Sequence, residues 1–255
     1  MIEDWLRRIG HDLKVCLLFS TRIPLPHAEP VGGGEIAHAS WALPVVGAAI
    51  GLAGAVVYGV AYRLGLPPLV GAALAVATTL IVTGGLHEDG LADTADGFGG
   101  RDRERRLEIM RDSRIGTFGA AALVVSLLLR TAALASLAGP GAVALALIAA
   151  HAGARAMMPA FLRLVPAARP DGLAADAGRP TRNSAVVAAA LGIAVVMLAL
   201  GVTRGLAACL LLLAGFAAVR SLCLAAIGGQ TGDVAGALEQ IGEIAVLLAA
   251  AAAVG

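Results

Sequence analysis

Seven apolar stretches, each close to the length of a membrane span, constrain this chain more than any other feature of its sequence. They fall at roughly 41–62, 68–86, 116–138, 141–161, 184–203, 205–227 and 236–254. An α-helix needs about 20 apolar residues to cross the hydrocarbon core of a bilayer. The hydrophobic content of 58% and the mean hydropathy of +0.84 also exceed those of ordinary soluble domains. The sequence therefore predicts an all-α, polytopic integral membrane helix bundle with about seven transmembrane helices.

The segment before the first span predicts a short amphipathic helix. Within 4–19, the charged residues Arg7, Arg8, Asp12 and Lys14 are interleaved with apolar residues. A helix of this kind lies at the membrane surface or leads into it. The first residues are acidic and lack the basic region of a signal peptide, so we expect no cleaved leader. The three cysteines lie in apolar sequence without metal-site spacing and are read as small buried hydrophobic residues.

Basic residues alternate in number between successive loops. The N-terminal segment and the loops after the second and fourth spans hold four, six and four of them, whereas the intervening loops hold only Arg63 and Arg204. Basic loops stay in the cytoplasm by the positive-inside rule. This pattern predicts that the N-terminus and the loop after the second span face the cytoplasm. We find no sign of a soluble module and expect residues 1–255 to form a single integral membrane domain.

An acidic stretch at 84–100 directly follows the second span. Asp89, Asp93 and Asp96 occupy positions i, i+4 and i+7, which a helix places within an arc of about 60°. Carboxylates so arranged repel one another and are the ligands that Mg²⁺ or Mn²⁺ prefers, with substrate phosphates completing the shell. The alternative is a solvated acidic loop. The even spacing, the small neighbouring residues and the adjoining apolar run favour a metal–phosphate site.

A second polar segment, at 111–119, opens the third span. A helix N-terminus with serine, threonine and glycine donors binds anions. Arg111 and Arg114 can add charge-assisted hydrogen bonds to phosphate oxygens. We therefore predict that Arg111, Asp112, Ser113 and Arg114 bind phosphate. For Arg111, a role as a cytoplasmic anchor explains the sequence equally well.

A third polar segment, at 228–243, carries acidic residues into apolar sequence. On a helix, Asp233, Glu239 and Glu243 lie within an arc of about 120°. An ionisable residue at the centre of a span costs about 2.5–3.5 kcal/mol on insertion scales, so it usually faces a polar cavity or a partner. Two interpretations of Glu239 and Glu243 remain open: a substrate site, or structural ion pairs with arginines in or beside the spans. Those arginines are Arg130, Arg155 and Arg220.

Another pair of polar residues lies inside the fourth span. His151 and Arg155 are one helical turn apart, at i and i+4. They could bind an anionic group from inside the bundle, and a buried structural pair explains them equally well.

Taken together, these motifs resemble those of the cobalamin synthase family, also called adenosylcobinamide-GDP ribazoletransferase. The matching segments are 19–26, 84–100, 101–119 and 231–233 with the glycines and glutamates that follow. The resemblance covers nearly the full chain and is weakest over 162–183. It implies transfer of the cobinamide-phosphate group from adenosylcobinamide-GDP to α-ribazole or α-ribazole 5′-phosphate. The products would be GMP and adenosylcobalamin or its 5′-phosphate, the last steps of cobalamin nucleotide-loop assembly.

The resemblance also implies a site and a location. Mg²⁺ is the implied cofactor, with Asp89, Asp93, Asp96 and Asp233 as ligands and Asp96 as the first choice for the general base. The other residues expected to bind substrate or phosphate are His87, Glu88, Thr231, Glu239 and Glu243, besides the segment at 111–114. We expect a multi-pass protein of the bacterial inner membrane with its active site on the cytoplasmic side. We expect no nucleic-acid partner and leave open a homo-oligomer.

Two rival functions remain. A cation-coupled or proton-coupled transporter would carry ionisable residues at mid-membrane in several spans. Most acidic residues here lie instead at one mouth of the bundle beside an arginine-rich loop, which favours an enzyme that handles phosphate. A phospholipid-forming transferase is the second rival, and the full-length resemblance disfavours it. Membrane CDP-alcohol phosphotransferases share the logic of spaced aspartates at a helix mouth, but only by analogy.

Overall fold

The fold is described by a computed structural model that covers residues 2–26, 32–137, 139–172 and 177–252. Regular structure in these ranges is helical, apart from an isolated bridge between Ala167 and Gln230. The helices are α1 (Ile2–Ser20), α2 (Gly33–Ala39), a 3₁₀ turn (Ser40–Ala42), α3 (Leu43–Arg63), α4 (Pro68–Thr83), α5 (Leu86–Phe98), α6 (Arg103–Ile109), α7 (Thr117–Ala135), α8 (Pro140–Leu164), α9 (Arg182–Ile227) and α10 (Gly232–Ala251). The predicted all-α class is confirmed. The last residues of the predicted span at 236–254 lie outside the described ranges.

Most of the predicted spans coincide with helices that could cross a membrane. Five helical stretches are long and apolar enough by themselves: α3 together with the short helix before it, α7, α8, α9 and α10. The fourth helix has only 16 residues and qualifies only together with α5, from which it is bent by 91°. The predicted amphipathic helix at 4–19 is confirmed as α1.

Helix α9 is two antiparallel halves rather than one rod. As one straight helix its 46 residues would reach about 69 Å, roughly twice the thickness of the hydrocarbon core of a bilayer. At Gly201 the backbone leaves the helical region, with φ 74° and ψ 178°. A Cβ on Gly205 would lie 3.1 Å from the Cα of Met197, although residues eight positions apart on a straight helix are separated by about 12 Å. The chain therefore folds back at Gly201, and the turn predicted at 203–205 lies slightly earlier.

Helix α8 forms the centre of the bundle and packs against α3, α9 and α10. It approaches α3 closely because α3 presents glycines there. A Cβ on Gly51 would lie 2.5 Å from the carbonyl oxygen of Leu147, and Gly47 lies against His151 in the same way. In a bilayer, such contacts between small residues and backbone supply much of the attraction between helices. This packing places His151 and Arg155 in the middle of the protein, away from solvent.

The bend between α4 and α5 depends on two consecutive glycines. Gly84 and Gly85 have φ of 69° and 71°, a left-handed conformation that side chains with a Cβ disfavour. Arg22 lies over Gly84, and its backbone amide donates to the carbonyl of Val82 at 2.8 Å. We therefore treat α5 as a separate helix outside the spans, turned away from the direction of α4.

Helix α6 is fastened to the end of α9 by two arginines. Arg103 Nε donates to the carbonyl of Ile227 at 3.0 Å, and Arg106 Nη1 donates to that of Ala226 at 2.9 Å. Cations at the C-terminal carbonyls of a helix satisfy free acceptors and complement the helix dipole. These bonds bring the loop after α5 to the same end of the bundle as the end of α9 and the start of α10.

Candidate active site

Helices α5 and α10 cross at glycines, and this crossing brings two acidic segments together. A Cβ on Gly90 would lie 2.8 Å from the carbonyl oxygen of Asp233 and 3.2 Å from the Cα of Gly236. The absence of side chains at both glycines lets the two backbones touch. Asp89 and Asp233 consequently line one small cavity of about 60 Å³. The structure thus joins the predicted acidic face of 84–100 to the N-terminus of α10.

The carboxylate of Asp93 experiences the combined negative charge of this cluster. Burial and the neighbouring carboxylates of Asp89, Asp233 and Asp96 raise the pKa of Asp93 to about 7. Asp89 is exposed and the other three acids are half-buried. Four mutually repelling carboxylates that remain open to solvent are a donor set suited to a hard divalent cation such as Mg²⁺.

Asp96 is held by the first turn of α7. The backbone amides of Gly116 and Gly119 donate to its Oδ2 and Oδ1 at 2.6 and 2.8 Å. Glycine at both positions makes room for this contact, since a Cβ on Gly116 or Gly119 would lie 2.5 or 2.3 Å from a carboxylate oxygen of Asp96. The helix N-terminus that we expected to bind a substrate phosphate therefore binds Asp96. Anions are favoured there by the free amides and by the helix dipole, and Asp96 satisfies both.

Asp233 lies at the start of α10 between a threonine and an arginine. Thr231 caps the helix by accepting from the amide of Val234 at 3.2 Å, and its hydroxyl donates to Asp233 Oδ2 at 3.1 Å. Thr231, predicted to bind substrate, is buried and in the structure positions Asp233 instead. Arg169 Nη2 lies 3.6 Å from Asp233 Oδ2. Arg169 was missed because it lies outside the helices, within the segment 162–183 where the family resemblance is weakest.

We call the crossing of α5 and α10, with its carboxylates of Asp89, Asp93, Asp96 and Asp233, the acidic crossing. Deeper in the bundle, Glu243 is the centre of a buried ion-pair network. Arg130 Nη1 on α7 donates to Glu243 Oε2 at 2.7 Å, and Arg155 Nη1 on α8 donates to Oε1 at 3.0 Å. His151 also contacts Oε1 through its Nδ1. All four side chains are at most 4% exposed. Glu243 is therefore enclosed by its partners.

Three further residues belong to this buried network. Arg130 Nη2 donates to Glu88 Oε1 at 2.9 Å, Arg155 pairs with Glu239, and His87 Nδ1 lies 3.5 Å from Glu239 Oε2. The prediction that Glu88, Glu239 and Glu243 bind substrate does not agree with these contacts, because the arginines already occupy them. For Glu239 and Glu243, the open interpretation as structural ion pairs is the one that the structure supports; for Glu88, the pair with Arg130 was not expected. His87 is only 3% exposed and also lines the cavity beside Asp89.

The compact donor group His151, Glu239 and Glu243 is also a geometric candidate for a metal. In the described ranges it is the one group whose ligand atoms all lie within 4.8 Å of one another. Arg155 and Arg130 already supply positive charge to these glutamates. A divalent cation there would lie against two guanidinium groups, which Coulomb repulsion disfavours. The four aspartates lie farther apart, as expected for carboxylates that repel one another.

The arginine-rich segment before α7 is exposed and paired internally. Arg111 binds both oxygens of Asp171 at 2.6 and 2.7 Å. Arg114 donates to Asp112 at 2.5 Å, and this contact lowers the pKa of Asp112 to about 2. Ser113 is exposed. The structure brings these residues to the end of the bundle that holds the acids, but their predicted phosphate contacts remain a prediction.

Comparisons with known proteins agree with the sequence resemblance. A sequence model of the family described as cobalamin-5-phosphate synthase matches residues 12–251. The chain is 56% identical over 251 residues to a protein named adenosylcobinamide-GDP ribazoletransferase from Bradyrhizobium diazoefficiens, covering 98% of this chain and 96% of the relative. Proteins of the same name from Mesorhizobium japonicum and Azorhizobium caulinodans are 52% and 50% identical, covering 97% and 94% of this chain and 95% of each relative. No solved structure matches the chain.

The buried network predicts that Glu243→Gln destabilises the fold. The substitution keeps the size of the side chain but leaves Arg130 and Arg155 without their shared carboxylate. Removing one partner of a buried ion pair typically costs about 3–5 kcal/mol. We expect a clear fall in the thermal unfolding temperature of the detergent-purified protein. The matched control is Glu108→Gln, whose exposed pair with Arg105 should contribute little. Equal unfolding temperatures for the two variants would contradict a structural role for Glu243.

Proposed function

The chain belongs to the cobalamin-5-phosphate synthase family, and from this premise we propose that it is an adenosylcobinamide-GDP ribazoletransferase. It transfers the cobinamide-phosphate group from adenosylcobinamide-GDP to α-ribazole or its 5′-phosphate. A ribose hydroxyl of the acceptor attacks the phosphorus that bears the cobinamide. The bond from that phosphorus to the bridging oxygen breaks, GMP leaves with this oxygen, and the hydroxyl proton passes to a base on the protein.

The observation that carries this mechanism is the convergence of Asp89, Asp93, Asp96 and Asp233 at the crossing of α5 and α10. Their carboxylate oxygens are the donors that Mg²⁺ prefers, and their side chains are accessible to solvent. We propose that the enzyme depends on Mg²⁺. Bound Mg²⁺ would neutralise diphosphate charge and stabilise the departing phosphate. Asp89, Asp93 and Asp233 offer carboxylate oxygens without backbone partners in the described ranges, and Asp96 retains free lone pairs on both oxygens.

The choice of general base changes once the contacts of Asp96 are known. Both of its oxygens accept from backbone amides of the first turn of α7, so the carboxylate is held at that helix N-terminus. We therefore propose that Asp96 mainly fixes α5 against α7. Asp89 and Asp93, which accept no such amide bonds from the described residues, are the better candidates for receiving the proton of the ribose hydroxyl.

Charge-removing substitutions of the acids test this site. Asp89→Asn and Asp93→Asn should each lower the rate of GMP release by about a hundredfold or more without altering the fold, since they remove charge that holds the metal and the transition state. Asp233→Asn should raise the Mg²⁺ concentration needed for half-maximal rate. Glu104→Gln, an exposed acid in α6, is the control. Near-normal turnover and Mg²⁺ dependence in Asp93→Asn would remove that residue from the site.

We further propose that the protein lies in the bacterial inner membrane with the acidic crossing on the cytoplasmic side. The bonds from Arg103 and Arg106 to the end of α9 gather the arginine-rich segments at the end of the bundle that holds the acids. The positive-inside rule assigns such an end to the cytoplasm.

Cysteine labelling tests this orientation. In a background with Cys16, Cys209 and Cys223 replaced, Glu104→Cys and Leu64→Cys would place single thiols at opposite ends of the bundle. Both positions are exposed. An impermeant maleimide added to spheroplasts should label Leu64→Cys only, and permeabilisation should add labelling of Glu104→Cys. The reverse pattern would overturn the orientation.

A further inference from the structure

A second cavity opens beside the acidic crossing, between the end of α8 and residues 165–170, 178–179 and 230. It has a volume of about 490 Å³, within the usual range for small-molecule sites. Its polar lining includes Arg163, Arg169, Arg179 and Gln230. We call it the arginine cleft. Sequence reasoning assigned no function to these four residues, and the mechanism above does not use them.

Two of the arginines are held in place by backbone oxygens and retain most of their donors. Arg163 Nη1 donates to the carbonyl of Pro180 at 3.0 Å, and Arg179 Nε donates to the carbonyl of Arg163 at 3.1 Å. A guanidinium group has five N–H donors, so each keeps several for a ligand. In the part of the chain that the structure describes, neither has a carboxylate within 4 Å. The cleft therefore presents oriented positive charge, which suits the oxygens of a phosphate.

The third arginine connects the cleft to the acidic crossing. Arg169 lies between the two, with Nη2 at 3.6 Å from Asp233 Oδ2. Its Nη1 is buried and has no acceptor among the described residues. Leu162 lines both the arginine cleft and the small cavity that contains Asp89 and Asp233. A molecule bound in the cleft is therefore adjacent to the carboxylates assigned to the reaction.

Gln230 adds a neutral acceptor to this cationic surface. It is only 3% exposed, and its Oε1 has no donor within the described ranges. Its backbone is fixed, because its amide donates to the carbonyl of Pro166 and its carbonyl accepts from the amide of Ala168, both at 2.8 Å. A rigidly placed amide oxygen beside three guanidinium groups suits a sugar hydroxyl or a base N–H of a nucleotide-like ligand. A site that only attracted anions would not need this acceptor oxygen.

We propose that the arginine cleft binds the 5′-phosphate of a phosphorylated acceptor nucleoside and sets the preference for it over the unphosphorylated nucleoside. The inference rests on the proposed function. The reacting diphosphate must lie at the acids. A second, non-reacting phosphate would be repelled by those acids and needs separate cationic donors. The description of the family names a 5-phosphate product, so the acceptor of that reaction carries such a group.

The test compares GMP release with α-ribazole 5′-phosphate and with α-ribazole. For wild-type protein we expect a larger kcat/KM with the phosphorylated acceptor. Arg179→Gln and Arg163→Gln should each lower the ratio of the two kcat/KM values by about tenfold or more, since each removes a charge-assisted bond to phosphate. Arg179→Lys should restore part of the ratio. Arg204→Gln, in the turn at the opposite end of the bundle, is the matched control and should leave the ratio unchanged.

Direct binding gives a second readout that is independent of turnover. The dissociation constant of α-ribazole 5′-phosphate, measured by calorimetry on the purified protein without donor, should rise in Arg179→Gln and not in Arg204→Gln. A ratio and a dissociation constant that do not change in Arg179→Gln would overturn the proposal. So would wild-type protein without preference for the phosphorylated acceptor.

Two further comparisons distinguish a lipid headgroup from the acceptor phosphate as the ligand of the cleft, and a failure of this inference from a failure of the proposed function. Assays with and without phosphatidylglycerol distinguish a lipid headgroup: a lipid-dependent change in Arg179→Gln that is equal for both acceptors would assign the cleft to lipid and overturn the inference. Failure of wild-type protein to release GMP with either acceptor would refute the proposed function. An active wild-type enzyme with unaltered variants would refute only the arginine cleft.

Discussion

The architecture depends on the burial of Arg130 and Arg155 opposite three glutamates, in a part of the protein that water does not reach. Buried charges of this kind are tolerated only when each is paired, since the cost of an unpaired ion in a low-dielectric interior is large. Arg155 reaches Glu239 and Glu243 on α10, and Arg130 reaches Glu243 and Glu88 on α5. The network therefore links four helices. It fixes α5, which is separated from its preceding span by a sharp bend, against α7, α8 and α10.

That fixed position determines what the acids of α5 can do. With Glu88 and His87 facing the network, the opposite side of α5 presents Asp89 and Asp93 towards the N-terminus of α10, where Gly90 meets Gly236. Charges inside several spans were the feature that would have favoured a transporter. In the structure these charges are paired with one another rather than arranged along a path, while the acids at the mouth of the bundle remain accessible to solvent. This division between paired and open acids supports an enzyme that acts on charged substrates at the membrane boundary.

The sequence predicted the parts of the fold that follow from hydropathy and periodicity. The spans, the amphipathic α1 and the clustering of Asp89, Asp93 and Asp96 on one face all follow from residue spacing. Residue spacing predicts which side chains share a helix face but not which residues that face contacts. It therefore left the roles of Glu239 and Glu243 open, and only the positions of Arg130 and Arg155 in the structure decide them. Asp96 was expected to act on substrate, and only the three-dimensional approach of Gly116 and Gly119 shows that α7 holds it. Arg169, Arg179 and Gln230 of the arginine cleft lie outside the helices, where no periodic signal exists.

We propose that the open aspartates, and not the buried His151, Glu239 and Glu243, bind the metal ion. Anomalous scattering from crystals soaked in Mn²⁺ locates the ion without reference to turnover. We expect a Mn²⁺ peak bordered by carboxylates of Asp89, Asp93 and Asp233, and no such peak in crystals of Asp93→Asn. A peak at His151, Glu239 and Glu243, or a peak at the acidic crossing that persists in Asp93→Asn, would contradict it.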